Sequence, residues 1–177
     1  MDFYKQKLFI PQVDRNDTII GKVERWEAHE KGILHRAFDI AIYYKGRIIL
    51  QHRKHPVYNG VFTLTATSHQ YFVEDKFLDI IDGVYNTLKR EWNIEKESLL
   101  YTPKYVGKIY YKSTDGKYFE HEICHYYVSE VTTLPAVNFD YAYGYSLVSR
   151  EELYSESFPI SKILAPWVVE ALRQKLL

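Results

Sequence analysis

The sequence has few of the features that mark disulfide-bonded, nucleic-acid-binding or membrane proteins. Its single cysteine, Cys124, excludes a disulfide within the chain and is typical of a reducing compartment, so we expect a cytoplasmic location. The formal net charge is zero, from 23 basic and 23 acidic residues without a basic block, so nucleic acid is not an expected partner. No apolar run approaches the roughly 20 residues of a spanning helix, and the charged N-terminal segment does not fit a signal peptide, so membrane insertion is not expected either.

The composition is that of an ordinary globular domain. Hydrophobic residues make up 46% and charged residues 26% of the 177 residues, which is enough to bury a substantial core. There is no internal repeat, no low-complexity tract and no linker that would divide the chain. We therefore expect one domain over residues 1–177, with an oligomeric state that the sequence leaves open.

Alternating apolar and polar residues predict a set of strands joined by tight turns. The predicted hairpin turns are Arg15-Asn16-Asp17, Lys45-Gly46 and Asp115-Gly116. Between the last two turns, the stretch FTLTATSH predicts one short strand that ends at His69.

In two segments the apolar residues recur with the period of an α-helix. From Phe77 to Trp92, apolar residues recur at the spacing of an amphipathic helix, and a final helix is predicted to follow Pro166 and to run through WVVEALRQKLL. Between these two segments, Ser149 and Glu152 predict a capping box at the start of a short helix. Strands combined with segregated helices favour an α+β fold in layers.

Two glutamates in the stretch FEHEICHYY raise a chemical question. Glu120 and Glu122 are two positions apart in a predicted strand, so their side chains share one face and their charges repel. A cation between them would relieve this repulsion. Together with His29, His35 and His69 they form a donor set suited to Mn, Zn or Fe, and too rich in nitrogen for Mg or Ca.

Four stretches of the sequence carry a family resemblance. They are VDRNDTIIGKVERWEAHEKGILHRAF, TATSHQ, TDGKYFEHEICHYY and LAPWVVEAL, and they occur in the order seen in that family. They resemble the type 1 isopentenyl-diphosphate isomerases, a branch of the Nudix superfamily. The resemblance implies an α+β fold, a Nudix-like α/β/α sandwich with a mixed β-sheet, and a small-molecule diphosphate as the substrate.

The resemblance also implies roles for individual residues. The family's five metal ligands match His29, His35, His69, Glu120 and Glu122, although His29 and His35 are one residue closer together than in the family. Glu122 also matches the acid that protonates the substrate double bond, in concert with the tyrosine matched by Tyr111. Trp167 matches the aromatic residue that faces the carbocation.

A second group of matched residues concerns the diphosphate. Glu91 matches the helix carboxylate that helps to hold Mg on the diphosphate, and Arg53 and Arg25 are the expected diphosphate contacts. The resemblance thus implies a transition metal or zinc in the acid site and Mg bound together with the substrate.

The sequence departs from the family at two places. Thr67 stands where the isomerases carry a catalytic cysteine, and a hydroxyl cannot supply a comparable thiolate, so we expect slow isomerisation unless the protein uses another base. In the helix GVYNTLKREWNI, only Glu91 remains of the Nudix carboxylates. A metal-dependent acid catalyst is favoured. The alternatives are a Nudix-type diphosphate hydrolase and a non-catalytic ligand-binding protein.

Overall fold

The structure, a computed structural model, describes residues 3–177 and is built around one large mixed sheet. In this part of the chain the sheet has nine strands. They are β1 (Phe9–Val13), β2 (Ile19–Glu24), β3 (His35–Tyr44), β4 (Arg47–Arg53), β5 (Phe62–Thr63), β6 (Ala66–Ser68), β9 (Lys104–Asp115), β10 (Tyr118–Val131) and β11 (Ala142–Val148). A separate two-stranded hairpin consists of β7 (Phe72–Val73) and β8 (Lys76–Phe77).

Strand β3 is the centre of the sheet. The path runs β11-β4-β3-β1-β2, and β10 lies parallel to β3 and antiparallel to β9. In the β3–β10 pair, Glu122 is the Cα partner of His35, and the register then continues to Val131 opposite Tyr44. The three hairpins that the turn residues predict are confirmed by the pairs β1–β2, β3–β4 and β9–β10.

Four α-helices and three short 3-10 helices complete the described part of the chain. The α-helices are α1 (Arg25–Lys31), α2 (Ile80–Trp92), α3 (Arg150–Tyr154) and α4 (Pro166–Arg173), and the 3-10 helices are Phe3–Lys5, Lys96–Ser98 and Pro159–Ile163. The predicted capping box is present at α3, where Ser149 and Glu152 satisfy each other's backbone N–H groups. Helix α1 ends at Gly32, whose φ of 64° is a left-handed conformation that glycine adopts without strain. None of the described helices is both long and apolar enough to cross a membrane.

Two hydrophobic cores lie on opposite faces of the sheet. On one face, Phe38 and Ile40 of β3 pack with Leu88 and Trp92 of α2. On the other face, the intervening residues of β3 pack in the core that includes Trp167 of α4. Because strand residues alternate between faces, one strand serves both cores. Trp92 is 1% exposed, and truncating a core side chain of this size to alanine typically costs about 3–5 kcal/mol. The result is the α+β layer architecture that the sequence predicts.

The prediction of one strand over FTLTATSH is wrong. The stretch forms two short strands, because β5 pairs with β4 whereas β6 pairs with β3. Between them, the Thr65 hydroxyl accepts the N–H of Ile42 at 2.8 Å and donates to the carbonyl of Ile49 at 2.7 Å. The Thr65 hydroxyl thus links β3, through Ile42, to β4, through Ile49, where these two strands separate. A pattern of alternation along one segment cannot show that its partner strands separate.

Two predicted helix boundaries are also corrected. Phe77 belongs to strand β8, where it pairs with Phe72, and α2 begins only after the N-cap Asp79, whose side chain accepts the N–H of Ile81. The last helix starts at Pro166 as predicted but ends at Arg173 instead of running to the last residue. Beyond the last helix the apolar spacing continues because Leu176 and Leu177 still pack in the core that includes Trp167, whereas Phe77 packs against Phe72 of the neighbouring strand.

Candidate active site

Strand pairing brings three predicted site residues into one row. His35 opens β3, Glu122 lies opposite it on β10, and Tyr111 lies opposite Glu122 on β9. Directly paired residues on neighbouring strands point to the same face of a sheet. All three side chains are buried, with His35 at 0% and Glu122 at 3% exposure.

Two further histidines reach the same point from outside this row. His29 comes from α1, and His69 follows the end of β6. In His29, His35, His69 and Glu122, one possible ligand atom from each residue lies within 4.8 Å of all the others. Three imidazoles and a carboxylate at this spacing form a donor set for Zn, Mn or Fe. The structure thus brings together four of the five residues that the sequence analysis assigns to a metal.

The contacts around Glu122 fit a cation at this position. Its Oε1 lies 3.1 Å from Nε2 of His35 and 3.2 Å from Nε2 of His69. The Nδ1–H of His35 donates to the carbonyl of Ile33 at 2.7 Å, so in the neutral ring Nε2 carries a lone pair toward the carboxylate. Two lone pairs at this distance repel each other unless a cation lies between them.

Burial and neighbouring side chains set the charge states of His29, His69 and Glu122. Desolvation lowers the pKa of His69 to about 4 and that of His29 well below its ordinary value, so both rings are neutral near pH 7, as metal ligands must be. Burial alone would raise the pKa of Glu122. The close contacts of Glu122 with His35 and His69 outweigh this effect and hold the pKa of Glu122 well below its usual range. Glu122 is therefore a stable carboxylate when nothing else binds.

The fifth predicted ligand, Glu120, lies beside this group. Its Oε2 is 3.7 Å from Nδ1 of His29, and it is 5% exposed. Burial, followed by the charge of Glu122, raises the pKa of Glu120 well above its ordinary value. Among the described residues, Glu120 is not part of the group within 4.8 Å, so the structure brings it to the edge of the site and not into its centre.

The other predicted catalytic residues line a cavity next to the four-residue group. The Tyr111 hydroxyl donates to Oε2 of Glu122, and the Trp167 ring lies 6.1 Å from that of Tyr111. The Trp167 indole N–H donates to Thr63 Oγ1 at 3.0 Å, which fixes the ring. Thr67 also lines the cavity, with its hydroxyl donating to the carbonyl of Phe38 at 3.1 Å.

The predicted diphosphate residues form one wall of the same cavity, together with a residue that the sequence analysis missed. Arg53 lies 5.4 Å from the Trp167 ring centre, and Glu91 accepts hydrogen bonds from Gln51 at 3.1 Å and from Arg90 at 2.7 Å. Arg90 itself lines the cavity. Its position directly before Glu91 is the sequence signal that could have identified it.

Arg25 has a different environment from the one predicted for a diphosphate contact. Its Nη2 donates to the carbonyls of Phe3 and Tyr4, both at 3.1 Å, and of Gln6 at 3.2 Å. The Trp26 indole N–H donates to the Tyr4 carbonyl at 2.9 Å. Residues 3–6 therefore form a cover over the cavity, with Phe3 and Tyr4 among its lining residues and about 40 Å³ of free space beneath. No sequence pattern pointed to this cover.

Cys124 is not placed for thiolate chemistry. It is 1% exposed in the core beneath α4, and burial raises the pKa of its thiol well above the ordinary value. It packs as a small apolar residue.

Comparison with solved structures defines the fold. A crystal structure of a Deinococcus radiodurans protein superimposes with a TM-score of 0.70 at 12% identity, covering 94% of this chain and 98% of that one. A MutT NUDIX hydrolase from Burkholderia pseudomallei gives a TM-score of 0.57 at 19% identity, covering 80% of this chain and 97% of that one. The fold is the Nudix fold. No family model matches the chain.

Curated relatives identify the branch. The chain is 30% identical over 158 residues to mouse isopentenyl-diphosphate Delta-isomerase 1, covering 80% of this chain and 69% of that protein. It is 31% identical over 160 residues to the Mesocricetus auratus enzyme, with the same coverage, and 27% identical to that of Pectobacterium atrosepticum, of which it covers 84%. The protein belongs to the isopentenyl-diphosphate Delta-isomerase family, a family of enzymes.

Proposed function

We propose that the protein is a metal-dependent acid catalyst that protonates the double bond of an isoprenoid diphosphate, with Glu122 and Tyr111 delivering the proton. The observation that carries this proposal is the double engagement of Glu122. One carboxylate oxygen contacts His35 and His69, and the other accepts the Tyr111 hydroxyl at the cavity wall. A single buried carboxylate thus connects the donor cluster to the substrate space.

The donor cluster supports one Mn, Zn or Fe ion held by His29, His35, His69 and Glu122, with Glu120 at its edge. When bound, such a cation supplies positive charge that compensates the buried carboxylates and makes a proton shared with them more acidic. The backbone carbonyl of Ile33 keeps His35 in the tautomer whose Nε2 points at the cluster.

The cavity wall supports the remaining steps of the acid chemistry. The Tyr111 hydroxyl and Glu122 share a proton at the Oε2 side, which is the side away from His35 and His69. Protonation of an alkene leaves a carbocation, and the face of the fixed Trp167 ring stabilises positive charge through its quadrupole. The buried surroundings exclude water, which would otherwise capture the cation.

Arg53 and Arg90 line the cavity and are suited to bind the diphosphate, and Glu91, which also lines it, is the carboxylate for the Mg. Phe3 and Tyr4 line the same cavity, and Arg25 holds this segment through three backbone carbonyls. Movement of residues 3–6 on substrate binding would free the charge of Arg25 for the diphosphate.

The test is product formation from isopentenyl diphosphate in deuterated water by metal-loaded protein. We expect deuterium in the product, and a loss of at least about 10²-fold in kcat for Glu122→Gln because general acid catalysis is worth about 10²–10⁴-fold. Glu130→Gln, on the same strand but at its far end, is the matched control and should keep full activity. Product formation that is unchanged in Glu122→Gln, or absent in the wild type, would refute the proposal.

A further inference from the structure

The ring of Phe3 lies against two arginines in the cavity wall. The guanidinium carbon of Arg90 is 3.8 Å from the ring centre of Phe3, and that of Arg25 is 5.0 Å from it. All three residues line the cavity next to the proposed acid site. The quadrupole of an aromatic ring attracts a cation over its face, so these contacts hold the Phe3 ring at the cavity wall.

The ring does not satisfy the hydrogen-bonding groups of the two arginines. In both Arg25 and Arg90, Nε is buried and has no hydrogen-bond partner among the described residues. A buried N–H group without an acceptor costs free energy, and an aromatic face is a poor substitute for an oxygen. The two Nε–H groups therefore indicate a ligand that brings hydrogen-bond acceptors to this place.

The charges around the ring favour an anion as this ligand. Arg90 forms an ion pair with Glu91 at 2.7 Å, whereas no carboxylate among the described residues forms one with Arg25, whose Nη2 donates to backbone carbonyls. An oxyanion such as a phosphate group accepts charge-assisted hydrogen bonds from two N–H groups of one guanidinium. Such bonds are stronger than the contact of a guanidinium with a neutral ring, so an oxyanion can displace Phe3.

The Phe3 ring has free space on its other side. Phe3 also lines a second, open cavity of about 750 Å³, which shares Phe3, Tyr4 and His55 with the first. The remaining residues around the second cavity are Lys54, Pro56, Asn59, Asp140 and Tyr141. Because Phe3 borders both cavities, its ring can leave the two arginines toward the second cavity.

We propose that Phe3 is a gate that an oxyanion opens. Its ring covers Arg25 and Arg90 when no anion is bound, and the diphosphate of the substrate displaces the ring toward the second cavity and binds both guanidinium groups. This inference rests on the proposed function for the identity of the anion. Ring and anion compete for the same two cations, so the gate lowers the affinity for the diphosphate and stays closed against neutral ligands.

Binding of inorganic pyrophosphate without Mg, measured by calorimetry, tests this competition. We expect the Kd of Phe3→Ala to be about 5- to 30-fold lower than that of the wild type, because the anion no longer displaces two cation–ring contacts. Phe9→Ala is the matched control. The ring of Phe9 also has two cations near it, Lys7 at 5.7 Å and Lys22 at 5.5 Å, but it does not line the described cavity, so the Kd should not change.

Two further measurements separate a gate from a packing role. In spectra of protein with isotope-labelled phenylalanine, the ring signal that Phe3→Leu removes should shift when pyrophosphate saturates the wild type. In the Phe3→Ala background, Arg90→Lys keeps the positive charge and removes the guanidinium N–H groups. It should raise the Kd for pyrophosphate at least about tenfold, since hydrogen bonds to a charged group are lost.

The outcomes distinguish this inference from the proposed function. An unchanged or higher Kd in Phe3→Ala, a Phe3 signal that does not respond to pyrophosphate, or a Kd that Arg90→Lys leaves unchanged overturns the gate. Absence of pyrophosphate binding in both the wild type and Phe3→Ala overturns it as well. If the wild type still incorporates deuterium into product in these cases, the acid catalyst stands without the gate. Tighter binding by Phe3→Ala in a protein that lacks isomerase activity supports the gate and refutes the proposed function.

Discussion

Glu122 illustrates how much of the site depends on one side chain. Its two oxygens contact three different residues, and each contact comes from a separate strand or loop. The sequence predicted that Glu120 and Glu122 share a face, because period-2 geometry needs only the local strand. It could not predict that Glu122 is central and Glu120 peripheral, because that difference is set by His29 and His69 arriving from elsewhere in the chain.

Removal of the Tyr111 hydroxyl tests this arrangement at the residue scale. In Tyr111→Phe, Oε2 of Glu122 loses a buried hydrogen bond, which typically costs about 1–3 kcal/mol. We expect Tm to fall by several degrees and kcat to fall at least about tenfold, with metal content unchanged. Tyr154→Phe removes a hydroxyl that donates to the Leu177 carbonyl and is the control. Unchanged kcat in Tyr111→Phe would show that the proton does not pass through this hydroxyl.

The sequence did not predict the role of residues that depend on non-local contacts. Arg90 is adjacent to Glu91 in the chain, but only the packing of α2 against the sheet shows that it faces the cavity. The split of FTLTATSH into two strands was likewise not predictable from alternation, because it depends on β5 and β6 pairing with different strands.

At the scale of elements, helix α2 decides between acid catalysis and hydrolysis. Hydrolysis of a diphosphate in a Nudix site requires several carboxylates that hold Mg and activate water. Among the described residues of α2, Glu91 is the carboxylate that lines the cavity, and both of its oxygens already accept hydrogen bonds. The sequence predicted this loss directly, because the residues that replace the carboxylates lie within one helix.

We therefore expect weak hydrolysis of nucleoside diphosphates in the presence of Mg. Phosphate release should stay within about tenfold of the background rate, and Glu91→Gln should change it little. Asp82→Asn on the same helix is the matched control, because Asp82 does not line the described cavity. Rapid Mg-dependent release that Glu91→Gln abolishes would instead assign the protein to the hydrolases.

The turn between β1 and β2 links separate parts of the molecule through one carboxylate. Asp17 accepts hydrogen bonds from Arg36 of β3 at 2.7 Å, from Lys108 of β9 at 2.9 Å and from His125 of β10 at 2.7 Å. Burial acts to raise the pKa of Asp17, but these three partners outweigh it and lower the pKa below its ordinary value of 3.8. A carboxylate with a depressed pKa stabilises the fold above pH 3.8, and this stability is lost as the pH falls below that value.

The effect of Asp17→Asn on the stability of the whole molecule follows from the lowered pKa of Asp17. We expect Tm at pH 7 to fall by about 2–4 °C per kcal/mol lost, and the difference from wild type to shrink as the pH is lowered below 3.8. Thermal melts of both proteins between pH 7 and pH 3 measure this. A difference that grows on acidification would contradict the network, and Asp82→Asn, at an exposed position of α2, provides the comparison.

For the molecule as a whole, the sequence predicted the layer architecture and the three hairpins, because both depend on local periodicity and turn residues. It did not predict the cover formed by residues 3–6. The hydrogen bonds that hold this segment run from Arg25 and Trp26 to backbone carbonyls, and any sequence supplies backbone carbonyls. Phe3 and Tyr4 of this segment line the cavity, so they contribute to the shape of the site.

The central claim is that three histidines and Glu122 form a metal centre, and metal content tests it most directly. Protein purified without chelator, or reconstituted with Mn, Zn and Fe in turn, should contain close to one equivalent of metal by elemental analysis. His69→Ala should lose it, whereas His121→Ala should keep it because His121 hydrogen-bonds to the Gly32 carbonyl and Tyr110 outside the cluster. Wild type and His69→Ala that are equally metal-free after reconstitution would contradict the account.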